Sequence, residues 1–188
     1  MTRARATIYV SVTALVVLLT ALLPTATSAS TTITLTPVAD AHVAVAAPNN
    51  NYGATTPIRT REGGGTSSDP TYRSYLKFDV SGLAGQTIES VTLRLFATDA
   101  SPNAQGVFNV ANSGWIESTI TNANAPAPDA SPLASVAVPL AGYNDIPLPT
   151  TAITGTQFQT YFIRSAGNNN FAFNAKESAT NRPQLVVV

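Results

Sequence analysis

YRSYLKFDV, residues 72–80, alternates at every second position: Leu76, Phe78 and Val80 are apolar, while Arg73, Tyr75, Lys77 and Asp79 fill the gaps. Successive side chains on a strand point to opposite faces. The stretch is therefore read as a strand with an apolar inner face and an outer face carrying two cations and a tyrosine. Similar short runs flank it: TTITLT (31–36), AHVAV (41–45), PIRTR (57–61), TIESVTLRLFA (87–97), GVFNVA (106–111), LASVAVPL (133–140), NNFAFNA (169–175) and PQLVVV (183–188). QFQTYFI (157–163) fits a strand or a short helix. Gly, Pro, Asn, Asp and Ser cluster between the runs, as turns require. The pattern predicts an all-β chain, a β-sandwich of jelly-roll type in a single domain. REGGGTSSDP (61–70) and TNANAPAPDASP (121–132) are too polar or too proline-rich for a core and are expected at the surface.

Carried along the chain, the same alternation sends Ile58, Val91, Leu93, Leu95, Phe171, Phe173 and Ala175 inward. It sends Arg59, Arg61, Arg94, Phe96, Asn174 and Lys176 outward with Arg73, Tyr75 and Lys77. If these strands share a sheet, they make a basic face with aromatic side chains among the cations. A guanidinium fits a carboxylate or sulfate through two parallel hydrogen bonds, and lysine adds a point charge. A uronate polymer repeats such carboxylates, and Tyr75 or Phe96 would cover the apolar face of a sugar ring. Outward Lys and Arg also serve simply to solubilise strands and to blunt edge pairing.

The chain begins with Arg3 and Arg5, continues in an apolar run from Ile8 to Leu23 and passes into small residues up to Ala29. That order predicts a secretory signal peptide, residues 1–29, cleaved to leave 30–188 as a secreted, extracellular domain. No other segment is long and apolar enough to span a membrane. Removing Arg3 and Arg5 from ten basic residues leaves eight against ten acidic ones, a formal charge of −2. Such a balance gives no general attraction to nucleic acid or to an anionic membrane, so anion binding has to come from local clustering. The chain has no cysteine. A domain of this length can be held by its core without disulfides.

Catalytic and metal-binding patterns are sparse. His42 is the single histidine, expected as a loosely buried or surface residue, and no G-x-S-x-G elbow accompanies it. Zinc has neither cysteine nor a second histidine to hold it. The glutamates Glu62, Glu89, Glu117 and Glu177 form no recognisable glycosidase pair. Glu177 and Arg182 are expected to pair at the last hairpin. The residues call for no cofactor beyond a structural calcium. For that ion Asp40 and the carbonyls of PNNNYG (48–53) offer oxygen ligands, and an Asn-rich turn presents the same groups without metal.

ADAHVAVAAPNNNYG (39–53), YRSYLKFDVSGL (72–83), VTLRLFAT (91–98), WIESTIT (115–121) and AKESATNRPQLVVV (175–188) together resemble the DNRLRE-type module, carbohydrate-binding module family 96. The resemblance spans residues 30–188 in the family's order. It departs where a tryptophan is common after Thr121, since Asn122 stands there. It implies a jelly-roll, non-catalytic module that binds an acidic polysaccharide such as alginate and works beside a separate secreted enzyme. It carries over Arg59, Arg61, Arg73, Lys77 and Lys176 as basic positions. With Tyr75 and Arg94 these are the expected ligand-binding residues. The alternatives are a structural or adhesive extracellular module and, less favoured, a polysaccharide lyase that uses Arg, Lys, His42 and a tyrosine.

Overall fold

The computed structural model describes residues 30–138 and 140–188, so the expected signal peptide, residues 1–29, lies outside the described residues. Eleven strands follow in order: β1 (Ile33–Leu35), β2 (Pro37–Ala44), β3 (Ile58–Thr60), β4 (Tyr72–Asp79), β5 (Val91–Asp99), β6 (Ser101–Val110), β7 (Ala134–Val138), β8 (Gly142–Leu148), β9 (Phe158–Ser165), β10 (Phe171–Phe173) and β11 (Gln184–Val187). They form two antiparallel sheets. One runs β1-β11-β5-β10-β3, with β8 on the other edge of β5, and the second runs β2-β4-β9-β6-β7. The fold is the all-β sandwich that the alternation predicts.

The inward residues meet between the sheets. Leu76, Phe78 and Val80 from one sheet pack with Ile58, Val91, Leu93, Leu95, Phe171 and Phe173 from the other in a single buried cluster. Inward and outward sides were thus legible from period two alone. The ambiguous segment 157–163 is β9, the middle strand of its sheet, paired with β4 and β6. Gln159 through Ile163 are buried on both faces, which erases the polar-apolar contrast that marks a half-exposed strand. β8 is absent from the sequence-based set. Tyr143, Asp145 and Pro147 give it an exposed face with no strand-like composition, and Pro147 is tolerated because β8 is an edge strand.

One expectation is overturned at β4. Tyr75 and Lys77 do point away from the main core, but they are 3% and 9% exposed, not free at the surface. The outer face of the five-stranded sheet carries Ala39, Ala41, Val43, Phe108, Val110 and Phe162 beside Tyr75, and Trp115 and Ile120 close over it as a second buried cluster. Both closing residues belong to the segment 111–133, which joins β6 to β7 and runs across that face. Alternation says which side of a strand a residue takes, not whether that side is covered.

The cover is fastened at several points. Asn51 Nδ2 donates to the carbonyls of Glu117 and Ile120, both at 2.7 Å. Trp115 Nε1 donates to Thr160 Oγ1 at 3.1 Å, and Tyr75 Oη to the Pro126 carbonyl at 3.0 Å. Lys77 Nζ donates to the Trp115 carbonyl and lies 4.6 Å from the Trp115 ring and 5.6 Å from that of Phe158. The loop 61–70 is also more fixed than its composition suggests. Arg61 reaches Asn168 O, Pro70 O and Asp69 Oδ1, while Asp69 Oδ2 accepts from Gly64 N.

The covered face sets the cost of changing the residues in and under it. Replacing Ile120 by alanine is expected to cost about 2–5 kcal/mol, the range for truncating a buried isoleucine. The single tryptophan lies in the cover, so its fluorescence and far-UV circular dichroism should lose signal at the same urea concentration; a fluorescence transition well before the dichroism change would mean that the cover is not integral. Lys77→Gln is expected to destabilise by roughly 2–4 kcal/mol, because it removes a charged hydrogen bond and a cation–π contact. Arg73→Gln, which breaks one half-exposed ion pair, should cost under about 1 kcal/mol in the same denaturation assay.

Candidate functional site

The expected single basic face is not what the chain builds. Arg59, Arg61 and Arg94 belong to or adjoin the six-stranded sheet, Arg73, Tyr75 and Lys77 sit on the five-stranded sheet, and Lys176 follows β10. Most of these cations already have anionic partners. Arg61 pairs with Asp69 at 2.7 Å and Arg73 with Glu62 at 3.0 Å. Arg94 grips both oxygens of Asp145 at 2.7 and 3.0 Å, which holds the Asp145 carboxyl below its usual range. Lys176 Nζ bridges Glu117 at 3.2 Å and Glu177 at 2.5 Å. Glu177 therefore pairs with Lys176 rather than Arg182, whose Nε donates to the Ser178 carbonyl instead.

Arg59 differs. It makes no ion pair among the described residues, and its Nε is buried without an acceptor. Arg73 Nε also lacks an acceptor, but Arg73 keeps Glu62 as its charge partner. The Arg59 guanidinium carbon lies 5.6 Å from the Tyr72 ring centre. Arg59 lines a cleft of about 430 Å³ with His42, Tyr52, Tyr72, Thr55, Thr56 and Pro57. Four elements assemble it. Even-numbered β2 residues point away from the covered face, which brings His42 here; β3 carries Arg59; β4 starts with Tyr72; and the turn before β3, which includes the cis Thr56–Pro57 bond, supplies the rest.

His42 sits at the back of the cleft and is 3% exposed, more buried than its sequence neighbourhood suggests. It stacks on Tyr52 at 4.7 Å and 18° and meets Tyr72 edge-on at 5.5 Å. Thr55 Oγ1 donates to the Tyr52 carbonyl at 2.7 Å and lies 3.2 Å from His42 Nδ1. With the single hydroxyl proton used on Tyr52, Nδ1 is the donor to Thr55 and Nε2 is left as an acceptor. Burial, helped by the Arg59 charge, lowers the His42 pKa to about 4. The ring is therefore neutral at neutral pH, and Arg59 supplies the positive charge of the cleft.

A second basic place lies on the outer face of the five-stranded sheet, beside the cover. A groove of about 230 Å³ there includes Arg73, Tyr75, Pro126, Phe162 and Arg164. Arg164 is exposed and lies 5.0 Å over the Phe108 ring. Sequence reasoning misses Arg164 because the segment leading into it fits a helix as well as a strand, so the residue has no assignable face. It misses Tyr52 because it lies in a turn, and Tyr72 because its phase with Leu76 and Phe78 marks it as a core residue; only the fold brings them beside Arg59. On the opposite side of the molecule, Phe96 meets Tyr143 edge-on at 5.1 Å and Arg94 stacks on Tyr143 at 5.2 Å.

The arrangement provides stacked rings, neutral hydrogen-bonding groups and one unpaired guanidinium, a set suited to binding a polar ring that bears a negative group. Comparison with curated proteins finds no match. The family model for carbohydrate-binding module family 96 matches residues 31–188, which takes in all eleven strands and both basic places. On that match the chain belongs to carbohydrate-binding module family 96.

Proposed function

We propose that this carbohydrate-binding module is secreted, has no catalysis of its own and recognises an acidic polysaccharide, with a uronate residue held in the Arg59 cleft. The observation that carries the reading is the half-buried Arg59, which has lost water around Nε without gaining a protein acceptor. Folding gains nothing from leaving a buried donor unmade, and the missing bond costs about 1–3 kcal/mol. A carboxylate on a bound sugar would complete it, while Tyr52 or Tyr72 covers the apolar face of the ring. Alginate-like polymers repeat that carboxylate, so neighbouring residues of the chain can extend past the cleft. A separate secreted enzyme would supply the hydrolysis or elimination.

His42, Tyr72 and Arg59 also match in type the base, acid and charge neutraliser that a uronate lyase needs, the less favoured enzymatic reading. The ring of His42, however, is packed against two tyrosines and has almost no solvent contact, which suits a wall better than a proton carrier.

Titration calorimetry with alginate oligosaccharides tests the proposal. Arg59→Gln should weaken binding at least tenfold, the loss expected for one charge-assisted bond of roughly 1.5–3 kcal/mol, with an unchanged melt. Arg94→Gln should bind like the parent. Affinity should fall as salt rises, and neutral glucans should bind poorly. An Arg59→Gln protein that binds alginate as the parent does would remove this cleft as the site. Unsaturated product appearing on incubation with alginate would establish the lyase, and no affinity for any acidic or neutral glycan would favour the structural or adhesive role.

A further inference from the structure

Asp40, Glu117 and Glu177 come from β2, the covering segment and the β10–β11 loop, yet each brings an oxygen within 4.8 Å of the others. Asp40 is fully buried. Its Oδ2 accepts from the Lys176 backbone N–H at 2.5 Å, and its own N–H donates to Glu117 Oε1 at 2.7 Å. Its Oδ1 has no hydrogen-bond partner at all. The cluster is thus more than an exposed group of acids: it contains a completely buried carboxylate with one oxygen unsatisfied.

Charge counting points the same way. Three carboxylates meet one bonded ammonium, that of Lys176 on Glu117 and Glu177, and the Lys77 ammonium lies near Glu117. Fully ionised, three negative charges against these two positive ones leave the group net negative around a buried carboxylate, which is costly where water is excluded. A divalent cation would offset that excess. The donors are all oxygen, and among the described residues no histidine or cysteine joins them. That set suits calcium, which accepts six to eight oxygens in flexible geometry, better than zinc or the strictly octahedral magnesium. Glu117 is also prepositioned. Gly53 lets its backbone approach so closely that a Cβ there would lie 2.2 Å from the Glu117 carbonyl oxygen, and Asn51 binds that same carbonyl. The PNNNYG turn, read in the sequence as a source of ligands, here positions one.

We propose that Asp40, Glu117 and Glu177 form a calcium site that fastens the covering segment and the β10–β11 loop to β2. The site is separate from the Arg59 cleft and does not depend on how sugar is bound.

Calorimetry and thermal melting of the purified protein after EDTA treatment, with calcium or magnesium chloride added back at equal ionic strength, test this. One calcium should bind per chain with sub-millimolar affinity, as in extracellular modules. A hundredfold excess over Kd should raise the Tm by roughly 5 °C, and magnesium should do much less. Glu177→Gln, at an exposed position, should fold and lose at least tenfold in calcium affinity; Asp40→Asn, which keeps the shape, should lose it too. No binding heat and no Tm shift at millimolar calcium would overturn the proposal and leave Asp40 as a protonated structural acid. Calcium binding that survives both substitutions would overturn it equally, by placing the ion elsewhere.

Discussion

Tyr75, Phe108, Val110 and Phe162, with Ala39, Ala41 and Val43, lie on the side of the five-stranded sheet that faces away from the sandwich core, and this face cannot be left in water. Removing them from water favours laying a segment over them, while ordering that segment costs backbone freedom. Features that limit the chain's freedom or satisfy its backbone lessen that cost. Pro126, Pro128 and Pro132 restrict the unfolded segment. Asn51, Thr160 and the Pro48 carbonyl hold the folded one.

The cover changes the meaning of every polar group under it. On an open strand, Lys77 would be an ordinary surface cation. Beneath Trp115 its ammonium is partly desolvated, which lowers its pKa, while the nearby Glu117 charge acts to raise it. Glu117 in turn faces Asp40 and Lys176. One segment therefore brings together the buried cation, the buried acid and the edge of the acidic cluster. Loosening it would uncover Lys77 and withdraw Glu117 from Asp40 and Lys176 together.

Much of the fold could be read from the residues, and the reason is geometric. Period-two alternation is a local property, so the inward positions of β3, β4, β5 and β10 all appear in the core as expected. What alternation does not encode is which sheet a strand joins. Arg59 and Arg73 both point away from the core, but on strands of different sheets, so the expected row of cations divides. The pairings Arg61–Asp69, Arg73–Glu62 and Arg94–Asp145 join residues 8, 11 and 51 positions apart. Only strand register decides the last of these, since Arg94 and Asp145 are directly opposite on β5 and β8. The Arg59 cleft was half legible: its cation was visible as a candidate, whereas the tyrosines beside it come from a loop and a strand end.

The low charge of the chain makes the unpaired cations informative. With few carboxylates available, the fold still matches Arg61, Arg73, Arg94 and Lys176 to acids. Arg164 and Arg182 are exposed, and water satisfies them at little cost. Arg59 has no acid, and its Nε has no water either: the residue is half-buried, Nε has no acceptor, and Tyr72 meets its face rather than its donors. Local rules of polar satisfaction are commonly broken where a protein keeps a site ready for something else. In a family of carbohydrate-binding modules, a guanidinium with an unmade donor beside Tyr52 and Tyr72 is the feature on which the proposed uronate contact rests.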